Sequence, residues 1–214
     1  MRTWVMCDDN YHPASTVMAG LEPLRQAGYD FEFSLTAEDW SEDKLSDYPL
    51  LVLSKSNRIS AAVEGEWMTE EVERALSAYI EQGGGLLVLH SGTVGYAASE
   101  PLMKLIGGVF THHPEQCPVT LTPVAGHPIT AGLPELAPFT VRDEHYFIQQ
   151  AASVSAEHFL TSSSEHGSQP AGWTLCHGKG RVCVLTPGHN LAAWQHPSYQ
   201  ELLHRSLAWC ATGN

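Results

Sequence analysis

Three uninterrupted apolar runs constrain this chain most: LLVL at 50–53, LLVL again at 86–89, and VCVL at 182–185. A half-exposed strand alternates apolar and polar residues. A run with no polar member has both faces covered, the signature of a parallel sheet flanked by helices. The intervening segments supply such helices. TEEVERALSAYIEQ (69–82) is the clearest. Thr69 can cap it, Glu70 and Glu71 favour the positive end of its dipole, and Val72, Leu76, Tyr79 and Ile80 form one stripe before Gly83 ends it. A helix is also expected over 15–27, kinked or delayed by Pro23, and a closing one from Pro197 to Trp209. TWVMC (3–7) and the alternating YDFEFSL (29–35) add strands near the start. Strands and helices in this rhythm imply right-handed crossovers. The expected fold is α/β, a three-layer sandwich around a mainly parallel central sheet.

Beyond residue 115 the texture changes. VTLTPV, FTVRDEHYFI, HFLTSS and GWTLCH read as strands joined by short turns, and SSSEHGSQPAG (162–172) as a mobile surface loop. No repeat or interdomain linker interrupts the chain, so residues 1–214 are expected to form one domain. A chain of this length buries roughly 70% of its unfolded surface and needs no disulfide or structural metal to fold.

The formal charge is −13, from 24 acids against 11 bases. Such an excess argues against nucleic acid and anionic membranes as partners. No run approaches the ~18–20 apolar residues of a membrane span. The five cysteines are odd in number and form no CxxC, and Cys7 and Cys183 sit inside apolar runs. This usage fits structural thiols in a reducing compartment. A soluble, cytoplasmic protein is expected, with assembly into a homo-oligomer left open.

In a parallel α/β sheet, ligands bind beyond the carboxyl ends of the strands. The residues that stop each buried run therefore carry the functional information. The first strand ends in Asp8-Asp9-Asn10, followed by Tyr11 and His12. The third ends in Lys55-Ser56-Asn57-Arg58, the next in His90-Ser91-Gly92, and the last in His189-Asn190. Parallel neighbours would bring His12, His90, Ser91 and His189 to one cleft. Glu144, His145 and Tyr146 interrupt an otherwise apolar strand and are expected at the same place. There are twelve histidines, so some lie near any cleft by chance. His127 in GlyHisPro reads as a turn, and so does HisHisPro (112–114), although His113 is kept as a substrate-binding candidate. Asp8 and Asp9 read as solvated loop residues.

At these positions the sequence resembles the trehalose-utilisation (ThuA-like) family. The matching pieces are GGGLLVLHSG (83–92), LIGGVFTHHP (105–114), AGHPITAGLP (125–134), DEHY (143–146), HGKGRVCVLTPGH (177–189) and LLHRSLAWC (202–210), in family order. The resemblance implies a flavodoxin-like, class I glutamine amidotransferase-like fold. In amidotransferases the strand equivalent to 86–90 runs into a sharp turn bearing a nucleophilic cysteine. Here that turn is Leu89-His90-Ser91-Gly92 and contains no cysteine, so glutaminase activity is not expected.

What the resemblance implies instead is a carbohydrate substrate, a keto sugar or a disaccharide derivative. Two chemistries are open. Ser91 would act as nucleophile with His189 or His90 as base. Alternatively, His12, His90, Glu144 and His189 would form an acid–base or metal site suited to zinc or a similar divalent ion. Asn10, His12, His113, Tyr146 and Trp194 are the substrate-binding candidates, and Trp67 and Trp173 are further rings able to stack on a pyranose. A non-catalytic sugar-binding or regulatory protein on the same scaffold is the alternative to an enzyme.

Overall fold

The structure, a computed structural model, describes residues 1–131 and 137–212. The stretch AGHPITAGLP leaves the described residues at its last three positions, 132–134. The chain begins β1 (Arg2–Cys7), α1 (Ala14–Leu21), β2 (Asp30–Ser34), α2 (Glu42–Ser46), β3 (Leu50–Ser54), α3 (Glu70–Glu81) and β4 (Gly85–Leu89). Next come α4 (Glu100–Ile106), β5 (Gly108–His112), β6 (Cys117–Pro123), β7 (Phe139–Asp143), β8 (Phe147–Gln150) and β9 (Glu157–Ser164). It closes with β10 (Gly167–His177), β11 (Gly180–Leu185), α5 (Leu191–Trp194) and α6 (Pro197–Ala211).

Nine strands form one sheet in the order β2-β1-β3-β4-β11-β10-β9-β6-β7. The first five are parallel and the other four antiparallel. Each apolar run feeds both faces. Leu50, Val52, Leu87, Leu89, Cys183 and Leu185 pack with α1 and α6, while Leu51, Leu53, Leu86, Val88, Val182 and Val184 pack with α3 and α4. The order 2-1-3-4 is the doubly wound, flavodoxin-like arrangement, which opens a crevice where the winding reverses, between β1 and β3. β5 and β8 pair as a separate ribbon.

The helix expected over 15–27 stops at Leu21 and continues as a tighter 3-10 turn, Glu22–Ala27. Pro23 lacks the amide hydrogen that a longer α-helix needs. The expected loop at 162–172 is instead the hairpin of β9 and β10, with Ser164 paired to Gly167. Its serines and glycines have weak strand propensity, and pairing with β6 and β11 overrides it. FTVRDEHYFI is not one strand. It changes sheets at Glu144–Tyr146, so β7 ends the large sheet and β8 joins the ribbon.

The turn after β4 is built for close approach. A Cβ on Gly92 would lie 2.2 Å from the Leu53 carbonyl oxygen, which is backbone and cannot swing aside. Gly92→Ala is expected to cost about 1–3 kcal/mol. In a chain of this size that is about 2–4 °C of Tm per kcal/mol, read by thermal denaturation.

Candidate functional site

β1, β4 and β11 end at the same edge of the sheet, with β3 between the first two, and the Asp143–Tyr146 link between β7 and β8 crosses their tips. This brings His12, His90, Glu144 and His189 together. One ligand-type atom from each lies within 4.8 Å of all the others. The four are separated by up to 177 residues in sequence (189 − 12).

Each side chain is aimed by a partner behind it. Asp9, expected as a solvated loop residue, is buried and organises the first loop. Its Oδ1 accepts from the Tyr11 and His12 amides at 3.0 and 3.1 Å and from His12 Nδ1 at 2.8 Å, while its Oδ2 accepts from the Ser56 amide at 3.0 Å. Burial alone would raise the Asp9 pKa, but the His12 ring and the backbone donors outweigh it and hold the carboxyl well below its usual range. An ionised carboxylate only accepts, so His12 Nδ1 carries the proton and Nε2 presents a lone pair. Lys55 Nζ, also buried, donates to the Asp8 carbonyl at 2.7 Å and braces the same loop, where Asp8 takes the left-handed φ of +81°.

His90 has φ +42°, so the elbow residue is the histidine itself and not Ser91. A non-glycine residue held there marks a backbone over-determined by its surroundings. His90 Nδ1 lies 2.7 Å from the Thr186 carbonyl oxygen. A carbonyl cannot donate, so that nitrogen bears the proton and Nε2 turns inward. Tyr146 stacks on the ring at 4.1 Å and its hydroxyl lies 3.4 Å from His12 Nε2. Full burial pushes the His90 pKa down, against the pull of Glu144, so the ring is neutral near pH 7.

Asp143 was not singled out in the sequence beyond its place in DEHY. Fully buried, it accepts from the amides of Gly188 (2.7 Å), His189 (3.0 Å) and Asn190 (3.1 Å) and so fixes the turn that carries His189. The neighbouring Glu144 points into the cluster. Its oxygens lie 3.4 Å from His90 Nε2, 3.1 Å from His189 Nδ1 and 3.5 Å from His113 Nε2. Burial would raise the Glu144 pKa, but His189 and His90 hold it well below its usual range, and Glu144 in turn raises that of His189.

His90 Nε2 and His189 Nδ1 are buried, face the carboxylate at ion-pair distance and make no directed hydrogen bond. Buried polar atoms are normally satisfied. A tetrahedral zinc site with bonds of about 2.0–2.1 Å separates its donors by roughly 3.4 Å. The 3.1 Å from Glu144 Oε1 to His189 Nδ1 and the 3.4 Å from Oε2 to His90 Nε2 are of that size, each on its own carboxylate oxygen. The four donor atoms as a set span up to 4.8 Å, so the side chains would draw inward around an ion. Backing of His12 by a carboxylate and of His90 by a carbonyl is the support that metal-bound imidazoles receive. The residues present fit a divalent ion.

Other expected site residues fall elsewhere. Ser91 is fully buried and its hydroxyl has no hydrogen-bond partner, so no base is placed to activate it as a nucleophile. Trp194 is fully buried, with Nε1 donating to the Gly188 carbonyl at 2.7 Å. It braces the His189 turn from beneath and has no free face for a sugar. Trp173 and Trp67 are likewise buried, bonded to the carbonyls of Ile106 and Ser56. His145 turns away from the cluster, between Ser162 and Ser164. Asn10 is exposed, and its amide is best oriented toward Ala61 and Arg58 rather than into the cluster. His127 sits in a turn, as expected, accepting from the Ile129 amide. His113 is 36% exposed and lines the open side. Burial raises the Cys7 thiol to about 12, so the cysteine nearest the loop is no thiolate.

A family model described as trehalose utilisation (ThuA) matches residues 7–210. Among curated proteins, none matches the sequence significantly. The solved structure of a ThuA-like protein from Parabacteroides merdae is similar at a TM-score of 0.79 and 19% identity, over 99% of this chain and 90% of that one. One from Bacteroides uniformis gives 0.74 and 18%, over 98% and 91%. The β-galactosidase of Rahnella sp. R3 gives 0.67 and 14%, over 97% of this chain but 30% of its own. At these identities the likeness is one of fold.

Proposed function

The chain belongs to the trehalose-utilisation (ThuA) family, and on that premise we propose that it is a carbohydrate-processing enzyme acting on a keto sugar or related disaccharide derivative at a divalent-metal site. The supporting observation is the convergence of three imidazoles and one carboxylate within 4.8 Å, two of the ring nitrogens being buried without a hydrogen bond. His12, His90, Glu144 and His189 would hold the ion, zinc or one like it. When bound, it would act as a Lewis acid on the substrate's carbonyl oxygen.

The remaining work falls to side chains around that set. Asp9 and the Thr186 carbonyl keep His12 and His90 in the tautomers that turn an Nε2 lone pair toward the cleft. Burial, together with Glu144 and Asp143, raises the Tyr146 pKa, so its hydroxyl stays protonated and can donate into the cleft. His113 Nδ1 lies 2.8 Å from the Pro114 carbonyl, which leaves Nε2 on the cleft side to take or return a proton beside the substrate carbonyl. Thiol chemistry plays no part in this reading. Buried Cys7, Cys117, Cys183 and Cys210 suit a reducing, cytoplasmic setting.

Elemental analysis of the purified protein, followed by a keto-sugar panel with and without divalent metal, tests the proposal. About one ion per chain and metal-dependent turnover are expected. No ion under any condition would remove the metal. Specific binding with no turnover under any condition would make the protein a sugar-binding or regulatory one. A separate expectation concerns Asp9, which touches His12 and not the ion. Asp9→Asn should weaken zinc affinity about 10–100-fold, measured by competition with a chelating dye.

A further inference from the structure

The loop that delivers His12 carries one side chain the fold does not use. Tyr11 is 76% exposed, the most exposed large hydrophobic residue among the described residues. Its backbone is nonetheless tightly held. The Tyr11 amide donates to Asp9 Oδ1, Asp9 and His12 exchange backbone hydrogen bonds at 3.2 and 3.3 Å, and Lys55 ties down the Asp8 carbonyl. A ring left in water on a fixed backbone differs from one on a fraying loop. Its anchor point is defined, and covering the ring orders only its two side-chain torsions and not the loop as well. The position is next to the cluster. The Tyr11 and His12 ring centroids lie 6.5 Å apart, and the His12 ring is 4.8 Å from His90 and 5.2 Å from His189.

Tyrosine offers a broad, stiff, amphipathic surface with two rotatable bonds. Its face suits the C–H face of a pyranose, and its hydroxyl can meet a sugar hydroxyl. The rings expected to stack on sugar, Trp67, Trp173 and Trp194, are all buried, and Phe110 beside the cluster is half-buried against Tyr146 and His113, whereas Tyr11 is largely exposed. Tyr11 lies outside the four-residue set, so a ring resting on it is one step removed from the reacting carbonyl. Resting on the carbohydrate reading above, we propose that Tyr11 is the platform for the second ring of a disaccharide substrate, the keto ring being held at His12, His90, Glu144 and His189.

The test uses zinc-loaded wild type, Tyr11→Ala and Tyr11→Phe against two probes, 3-keto-glucose and the 3-keto derivative of trehalose. Half-saturation is read from turnover where it occurs and from calorimetry where it does not. Tyr11→Ala should raise the value for the disaccharide about tenfold and leave the monosaccharide within about twofold, with Tyr11→Phe close to wild type for both. Zinc stoichiometry should be the same in all three. If wild type takes both probes and Tyr11→Ala leaves the disaccharide unchanged, or weakens both probes equally, the platform is disproved while the carbohydrate reading stands. If wild type takes only the monosaccharide, the platform is again disproved. If wild type takes neither, both proposals fall.

Discussion

His189→Ala and His90→Ala are expected to leave a folded protein that no longer retains zinc and turns over a keto sugar about 100- to 10,000-fold more slowly. The fold should survive because both residues lie at the strand tips, beyond the sheet's apolar core. His189 has a side chain 21% exposed, so truncating it opens no sealed void. His90 is buried, and its removal also gives up the Thr186 hydrogen bond and the Tyr146 stack. For that reason His189→Ala is the cleaner of the two, with far-UV circular dichroism as the check on folding. A His189→Ala protein that still binds one zinc per chain and turns over normally would remove this site from the reaction.

The pH dependence has a defined sign. His90 has a lowered pKa and stays neutral through the neutral range, so it does not oppose metal binding there. His189 has a raised pKa and Glu144 a lowered one, so the competing proton sits on His189. Zinc affinity should therefore fall as pH drops through the histidine range, from roughly 6.5 upward for the raised group. Without metal the same pair stabilises the fold differently. The Glu144 contribution is present above its unfolded value and lost as pH falls through its depressed one. The His189 contribution is present below its unfolded value and lost as pH rises through its raised one. Together they are fully present between roughly pH 4.3 and 6.5.

The sheet was readable because burial on both faces leaves no polar residue in LLVL or VCVL, and because each such run stops abruptly on polar residues at its tip. The cluster members were readable for the same reason. His90 and His189 are the residues at which two buried runs end, and Glu144 breaks a third. What could not be read was the backing. Asp9 looks like any acid after a strand, and only the folded loop shows its two oxygens serving four donors. Tryptophan misled for a physical reason. Trp194 has a bulk that can serve either a core or a sugar, and its sequence neighbourhood does not reveal that Gly20 packs against its ring, where a Cβ would lie 2.4 Å away. The 162–172 hairpin stayed hidden because its strands owe their existence to neighbours distant in sequence. Ser91 likewise gained its apparent promise from the elbow motif, and the positive φ of His90 shifts that promise back by one residue.

Asp143→Ala should be among the most destabilising single changes in the protein, for a reason that ties stability to the site. The carboxylate accepts three backbone hydrogen bonds from the consecutive amides of Gly188, His189 and Asn190, in a fully buried position. Hydrogen bonds to a charged group contribute about 1.5–3 kcal/mol each, and a buried donor left without a partner carries its own desolvation cost. Not all of that is lost, because the turn can relax toward water, and Asn190 keeps its side-chain bonds to the Arg142 carbonyl and Gln116. A loss of about 3–5 kcal/mol is expected, or about 10 °C in Tm. Asp143→Asn separates charge from shape. One amide oxygen can still accept from His189 and Asn190, but the NH2 group then confronts the Gly188 amide, donor against donor. Its Tm should fall between wild type and Asp143→Ala. Because this clamp sets where the His189 ring stands relative to Glu144, zinc affinity should decline in the same order, although Asp143 is outside the ligand set. Should Asp143→Ala melt within about 1 kcal/mol of wild type and bind zinc equally well, the turn would be holding itself. The positioning of His189 would then have to come from Trp194 beneath it.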